Sequence, residues 1–228
     1  NAYYYGASLN NGHVIKFNNN IVNMRGINTA TYGLYIWICS ASGVLFHEIK
    51  GNNFTNIGQY GIYMQSSTGS GSSFGQIYNN MISGFKYTFG NTGIYLTSSS
   101  RWNIWHNSIN LDFASSGGTS NCMYIQNGST NDIRNNIMSI TSPTIVGAVP
   151  FNITPNSAVT ALNNNIYFNA SSLNLITGSI NSNTSNYQLN FPLGGGSGSM
   201  NVNPRFVNNA TDLHTLNGCN YGTNLGLT

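Results

Sequence analysis

One six-residue signature returns along most of this chain at intervals of 27 to 32 residues. It reads apolar, two variable positions, Asn, one variable position, apolar. It occurs as Phe17/Asn20/Val22, Ile49/Asn52/Phe54, Ile77/Asn80/Ile82, Ile104/Asn107/Ile109, Ile133/Asn136/Met138 and Leu162/Asn165/Tyr167. A period of this length is the mark of a solenoid, in which each repeat is one structural unit that cannot bury its own apolar face and stacks on its neighbours to do so.

A second pattern keeps the same phase. A strand-like G-[LI]-Y-[IML] occurs at Gly33 to Ile36, Gly61 to Met64 and Gly93 to Leu96, Cys122 to Ile125 replaces only the glycine, and a decayed fifth copy spans Pro150 to Ile153. Successive strand residues face opposite sides, so Ile62 and Met64 are expected inward and Tyr63 outward. The motif Asn is expected at a corner, in left-handed backbone and bonded to the main chain. Stacking then aligns Asn20, Asn52, Asn80, Asn107, Asn136 and Asn165 in one internal ladder, each satisfied amide contributing about 1 kcal/mol.

Composition agrees with strands and turns. Only 5% of the 228 residues are charged and 40 are asparagine, so a helix-rich fold would lack its ordinary Glu, Lys and Arg surface. The reading is an all-β parallel solenoid of about six coils over residues 1–170, with an irregular terminal coil and cap over 171–228. Six coils rise only about 30 Å. Polar stretches of varying length, such as Gln65 to Ser73 and Thr97 to Arg101, are expected as loops on one side.

Seven bases and four acids are scattered singly for a net charge of +3, with no basic stripe to follow a phosphate backbone, so nucleic acid is not expected as a partner. No run of eighteen apolar residues is present to span a membrane. Cys39, Cys122 and Cys219 stand apart and read as small core residues. Six N-x-S/T sequons, at Asn53, Asn127, Asn152, Asn169, Asn183 and Asn209, are what a chain so rich in Asn, Ser and Thr contains by chance.

After Phe168 the period lapses, and the GGGSGS run at Gly194 to Ser199 reads as a linker-like loop. The opening NAYYYGAS reads as a further strand rather than a cap. An uncapped coil exposes strand edges and core. The remainder of a larger parent chain, or a neighbouring subunit, is therefore expected at the N-terminal end, and the chain looks like a mature or excised piece.

The I-x-x-N-x-I and G-I-Y-I coils resemble the right-handed parallel β-helix repeats of the pectate-lyase-like superfamily. The ending Asn203-Pro204-Arg205-Phe206-Val207-Asn208 with Asp212-Leu213-His214 is similar to a segment that closes such domains in large secreted bacterial proteins, many of them exported by the type IX system. The chain departs from that ending at Thr215 and at Asn217-Gly218-Cys219. The resemblance spans Val14 to Leu216 and implies an extracellular or cell-surface module. It does not fix an activity, because the superfamily includes lyases, hydrolases, epimerases, adhesins and phage spikes.

Cleavage of a polysaccharide on this fold would need paired acids, or carboxylates for calcium beside a Lys or Arg base, and glycosidase carboxylates stand roughly 5 to 9.5 Å apart. Glu48 and Asp132 occupy equivalent positions but three coils, about 14 Å, apart. Asp112 and Asp212 belong elsewhere, and no catalytic residue is assigned. His13, His47, His106 and His214 share no spacing, so neither a metal nor a cofactor is expected.

Aromatic residues give the candidate surface. Tyr78, Trp105 and Arg134 should follow one another on successive coils, flanked by Gln76, Asn103 and Asp132, a platform suited to sugar rings. The plainer alternatives are an Arg134 that covers Trp105 in a cation-π contact and an Asp132–Arg134 surface ion pair. Tyr35, Tyr63, Tyr95 and Tyr124 should form an outer ladder, first of all a stabilising stack. The function expected is a non-catalytic surface module for adhesion, for contact with a polysaccharide or cell-surface glycan, or for spacing. The alternative is a polysaccharide lyase or glycoside hydrolase. Ice binding would need an outward threonine column that the sequence lacks.

Overall fold

A computed structural model describes residues 4–24, 30–114, 116–155, 158–178, 182–183 (backbone only) and 198–215. Three parallel sheets wind around one core as a β-solenoid of about six turns, with no α-helix among the described residues. Sheet A holds Tyr5–Asn10, Tyr32–Trp37, Tyr60–Gln65, Thr92–Thr97, Ser120–Gln126, Ala148–Thr154 and Asn174–Gly178, with antiparallel Ser182–Asn183 at its edge. Sheet B holds Lys16–Asn18, Glu48–Lys50, Gly75–Tyr78, Trp102–Trp105, Asn131–Arg134 and Val159–Asn163. Sheet C holds Ile21–Asn23, Asn53–Thr55, Met81–Ile82, Ser108–Leu111, Ile137–Ile140, Ile166–Asn169 and Met200–Asn201.

Strands this short are stable only because every backbone group pairs with the coil above and below, and because alternate side chains fill a shared interior. Ile49, Ile77, Ile104 and Ile133 lie in register on sheet B, and Phe54, Ile82, Ile109 and Met138 on sheet C, all fully buried. Ile62 and Met64 point inward and Tyr63 is half-buried on the outside, as the alternation requires. The decayed fifth copy keeps register, Phe151 and Ile153 facing Met123 and Ile125.

Between sheets B and C the six asparagines form the ladder. The backbone N–H and Nδ2 of Asn52 both donate to Asn80 Oδ1, at 3.1 and 2.8 Å, while its Nδ2 also donates to Phe17 O at 2.8 Å. The same bonds link Asn80 to Asn107, Asn107 to Asn136 and Asn136 to Asn165. One detail of the expectation is corrected. The left-handed residue is the one before each ladder Asn, namely Asn19, Gly51, Asn79, His106, Asn135 and Asn164, with φ between 54° and 63°. The division follows from geometry: the αL residue turns the chain, which leaves the next side chain free to point inward and bond along the stack.

The ladder has a seventh rung. Gly198 (φ 68°) takes the corner, Ser199 Oγ accepts the N–H of Asn165 at 3.0 Å, and Met200 pairs with Ile166. Beyond it, Phe206–Asn208 and Asp212–Thr215 make an antiparallel hairpin with buried Phe206 and Leu213. The hairpin docks on the flank of sheet C, where Ala210 O accepts from Ser83 Oγ (2.8 Å) and Asn209 O from Asn110 Nδ2 (2.9 Å). Cys39 and Cys122 are buried free thiols, and Cys219 lies outside the described residues.

Candidate functional site

The outward face of sheet B is built from two in-register rows. One runs Asn18, Lys50, Tyr78, Trp105, Arg134, Asn163; the other runs Lys16, Glu48, Gln76, Asn103, Asp132, Ala161. Tyr78, Trp105 and Arg134 thus stand on adjacent strands beside Gln76, Asn103 and Asp132, and Glu48 and Asp132 lie three coils apart in one row.

Two ionic groups on this face bracket a neutral stretch of Tyr78, Trp105, Gln76 and Asn103. At one end Arg134 Nε donates to Asp132 Oδ1 at 2.6 Å, so the guanidinium is engaged by its own strand. That is the ion pair anticipated above; the cation-π contact on this face is a different one from that expected between Arg134 and Trp105, with Lys50 5.8 Å from the Tyr78 ring centroid. The other end centres on Glu48, which pairs with Lys50 (3.1 Å) and Lys16 (3.6 Å) and accepts from Tyr78 Oη (2.9 Å) and Asn18 Nδ2 (2.8 Å). Partial burial pushes its pKa up, but these hydrogen bonds and the Lys16 charge prevail and hold it at about 2. The Tyr78 hydroxyl is pushed up, by burial first and then by the bond to Glu48.

Behind this face lies His47, fully enclosed and stacked on Trp102 with ring centroids 5.2 Å apart. Its Nδ1 accepts the N–H of Ile15 at 3.1 Å and its Nε2 lies 3.3 Å from Thr68 O, so the ring is neutral with its proton on Nε2. Burial lowers its pKa. The Trp102 indole donates to Ser67 O at 2.9 Å. His13 bonds Ser42, His106 occupies the left-handed corner, and His214 pairs with Asp212, so the four histidines serve separate places.

Sheet A carries the tyrosine ladder on its outer face. Tyr35, Tyr63, Tyr95 and Tyr124 are in register, with successive ring centroids 5.5, 5.0 and 4.9 Å apart. A second column, Tyr5, Tyr32 and Tyr60, runs beside it and meshes with it edge to face, Tyr32–Tyr63 at 5.3 Å and Tyr60–Tyr63 at 5.1 Å. Simple alternation hides this column, because the glycine and the residue after it both turn inward: Gly61 and Ile62 are both buried. A Cβ on Gly33, Gly61 or Gly93 would lie 2.5 to 2.6 Å from a carbonyl oxygen of the next coil, which is why glycine repeats there.

No protein family, curated protein or solved structure matches the chain.

Proposed function

We propose that this chain is a non-catalytic, extracellular β-helix module of the pectate-lyase-like kind that contacts glycans through the outward face of sheet B. The observation that carries the reading is the register of Tyr78 beside Trp105 on neighbouring strands, with the amides of Gln76 and Asn103 alongside. Flat aromatic faces take the apolar side of a sugar ring, and neighbouring amides take its hydroxyls. Ion pairs fence both ends and leave the neutral stretch between them for an uncharged chain.

The cell-surface setting and type IX export rest on the terminal Asn203-to-His214 motif. The first coil fits a place within a larger assembly: Leu9, Phe17, Val22 and Met24 are only partly buried, and Tyr5–Asn10, Lys16–Asn18 and Ile21–Asn23 stand at the edges of their sheets. Such an end takes the remainder of a parent chain or a neighbouring subunit.

The test is retention on a polysaccharide array. Replacing Tyr78 and Trp105 together by Ala should lower retention at least tenfold while the circular dichroism stays unchanged. Equal retention by the folded variant refutes the role of this face.

A further inference from the structure

We propose that a notch in the tyrosine face of sheet A binds one ring of an uncharged saccharide; the inference rests on the glycan-contact reading for its ligand class and on a different sheet for its site. The notch exists because the second tyrosine column stops. Tyr5, Tyr32 and Tyr60 are followed in register by Thr92 and then Asn121, while the neighbouring column continues through Tyr95 and Tyr124 to Asn152. Two positions that would hold rings hold small polar side chains instead. The space so left is an open groove of about 250 Å³, bounded by Tyr60, Tyr95 and Tyr124.

Its composition selects the ligand. Thr92 and Asn121 are buried, and Thr119 and Asn152 complete the polar lining. Among the described residues no charged side chain lines the groove, so an ionic ligand would be desolvated without a counter-charge. The Tyr95 and Tyr124 rings are parallel at 4.9 Å and hold one wall flat, and the Tyr95 hydroxyl is tied to Gln126. A ligand with an apolar face and a hydroxyl-bearing edge fits walls of phenol and a lining of amide and hydroxyl. The volume is below the roughly 300 Å³ of the smallest pockets that enclose a drug-sized molecule, which suits a single ring of a longer chain.

A second observation points to a missing partner. Asn121 is 2% exposed, and its Oδ1 is buried with no hydrogen-bond partner among the described residues. Native structures leave few such acceptors unpaired. A hydroxyl proton delivered from the groove, with a small adjustment of the amide, supplies the bond that the protein does not.

The experiment is calorimetric titration of the full chain with cellohexaose, xylohexaose and laminarihexaose, and with trigalacturonate as the charged counterpart, up to about 10 mM. Wild type should bind at least one neutral oligosaccharide. In the Tyr78→Ala/Trp105→Ala background, which removes the sheet B platform, Asn121→Leu and Tyr124→Ala should each weaken the binding that remains at least tenfold. Thr92→Tyr, which extends the ring column across the notch, should abolish that remaining binding in a chain that melts no lower than the background protein. If the Tyr78→Ala/Trp105→Ala protein binds none of the neutral oligosaccharides that wild type binds, or if its remaining binding ignores the notch substitutions, the notch is overturned and the glycan reading stands. Binding of trigalacturonate alone also overturns the notch, and binding of none of the four overturns both.

Discussion

Replacing Asn107 by Ala at the middle of the ladder should be one of the costliest single changes in this protein, while the same change at Asn20 should be mild. Asn107 Oδ1 accepts both the N–H and the Nδ2 of Asn80, at 3.1 and 2.9 Å, and its own Nδ2 donates to Ile77 O at 2.9 Å and Asn136 Oδ1 at 3.0 Å. Truncation strands two buried donors on Asn80, at about 1–3 kcal/mol each, and leaves a polar-lined gap, for a total of about 3–5 kcal/mol. That is a large share of the roughly 5–15 kcal/mol that separates folded from unfolded domains. Among the described residues Asn20 only donates, to Asn52 Oδ1, an acceptor that its backbone N–H still satisfies at 2.9 Å, so Asn20→Ala strands no described donor and should cost about 1 kcal/mol. Urea titration followed by far-ultraviolet circular dichroism measures both. Costs within about 0.5 kcal/mol of each other would refute the claim that acceptance along the stack, rather than asparagine itself, carries the stability.

Further outcomes follow from the same geometry. Because burial lowers the pKa of His47, its contribution is complete above the ordinary histidine value of 6.5 and is lost as pH falls below it; His47→Gln should flatten the stability profile between about pH 7 and 5, and an unchanged slope would count against a neutral ring. Glu48, held at about 2, contributes above its ordinary 4.5 and loses that contribution as pH drops toward 2, a second acid step that Glu48→Gln should remove from the denaturation profile. Gly61→Ala places a Cβ 2.6 Å from Gly93 O and against Ile82, which should cost about 2 kcal/mol, or roughly 4–8 °C in Tm by calorimetry. An unaltered Tm would show that the coils can part to admit a methyl group.

The sequence by itself determined the architecture. A fixed return of Asn between apolar residues specifies which side chains face inward and that like residues lie over one another, because strand alternation and repeat length are properties of the chain alone. The columns Tyr35 to Tyr124 and Tyr78 to Arg134 were legible for the same reason. Tertiary structure decided what repeat phase does not encode. The left-handed residue precedes the ladder Asn, since only one of two adjacent residues can turn the chain while the other points inward. Gly61 and Ile62 both face the core, so a tyrosine column emerged beside the one alternation identifies. Gly198-Ser199 took the seventh corner without the asparagine that marks the others, because a serine hydroxyl can accept the N–H of Asn165 as an amide oxygen does. Lys16 and Glu48 share a repeat phase, as do His47 and Trp102, but that the charges pair and that the Trp102 ring reaches His47 past Gly75 on the coil between was decided by the packed side chains. Local pattern fixes the direction of each side chain, but contacts between coils also depend on the turns that bring distant residues side by side, and those turns carry no periodic signal.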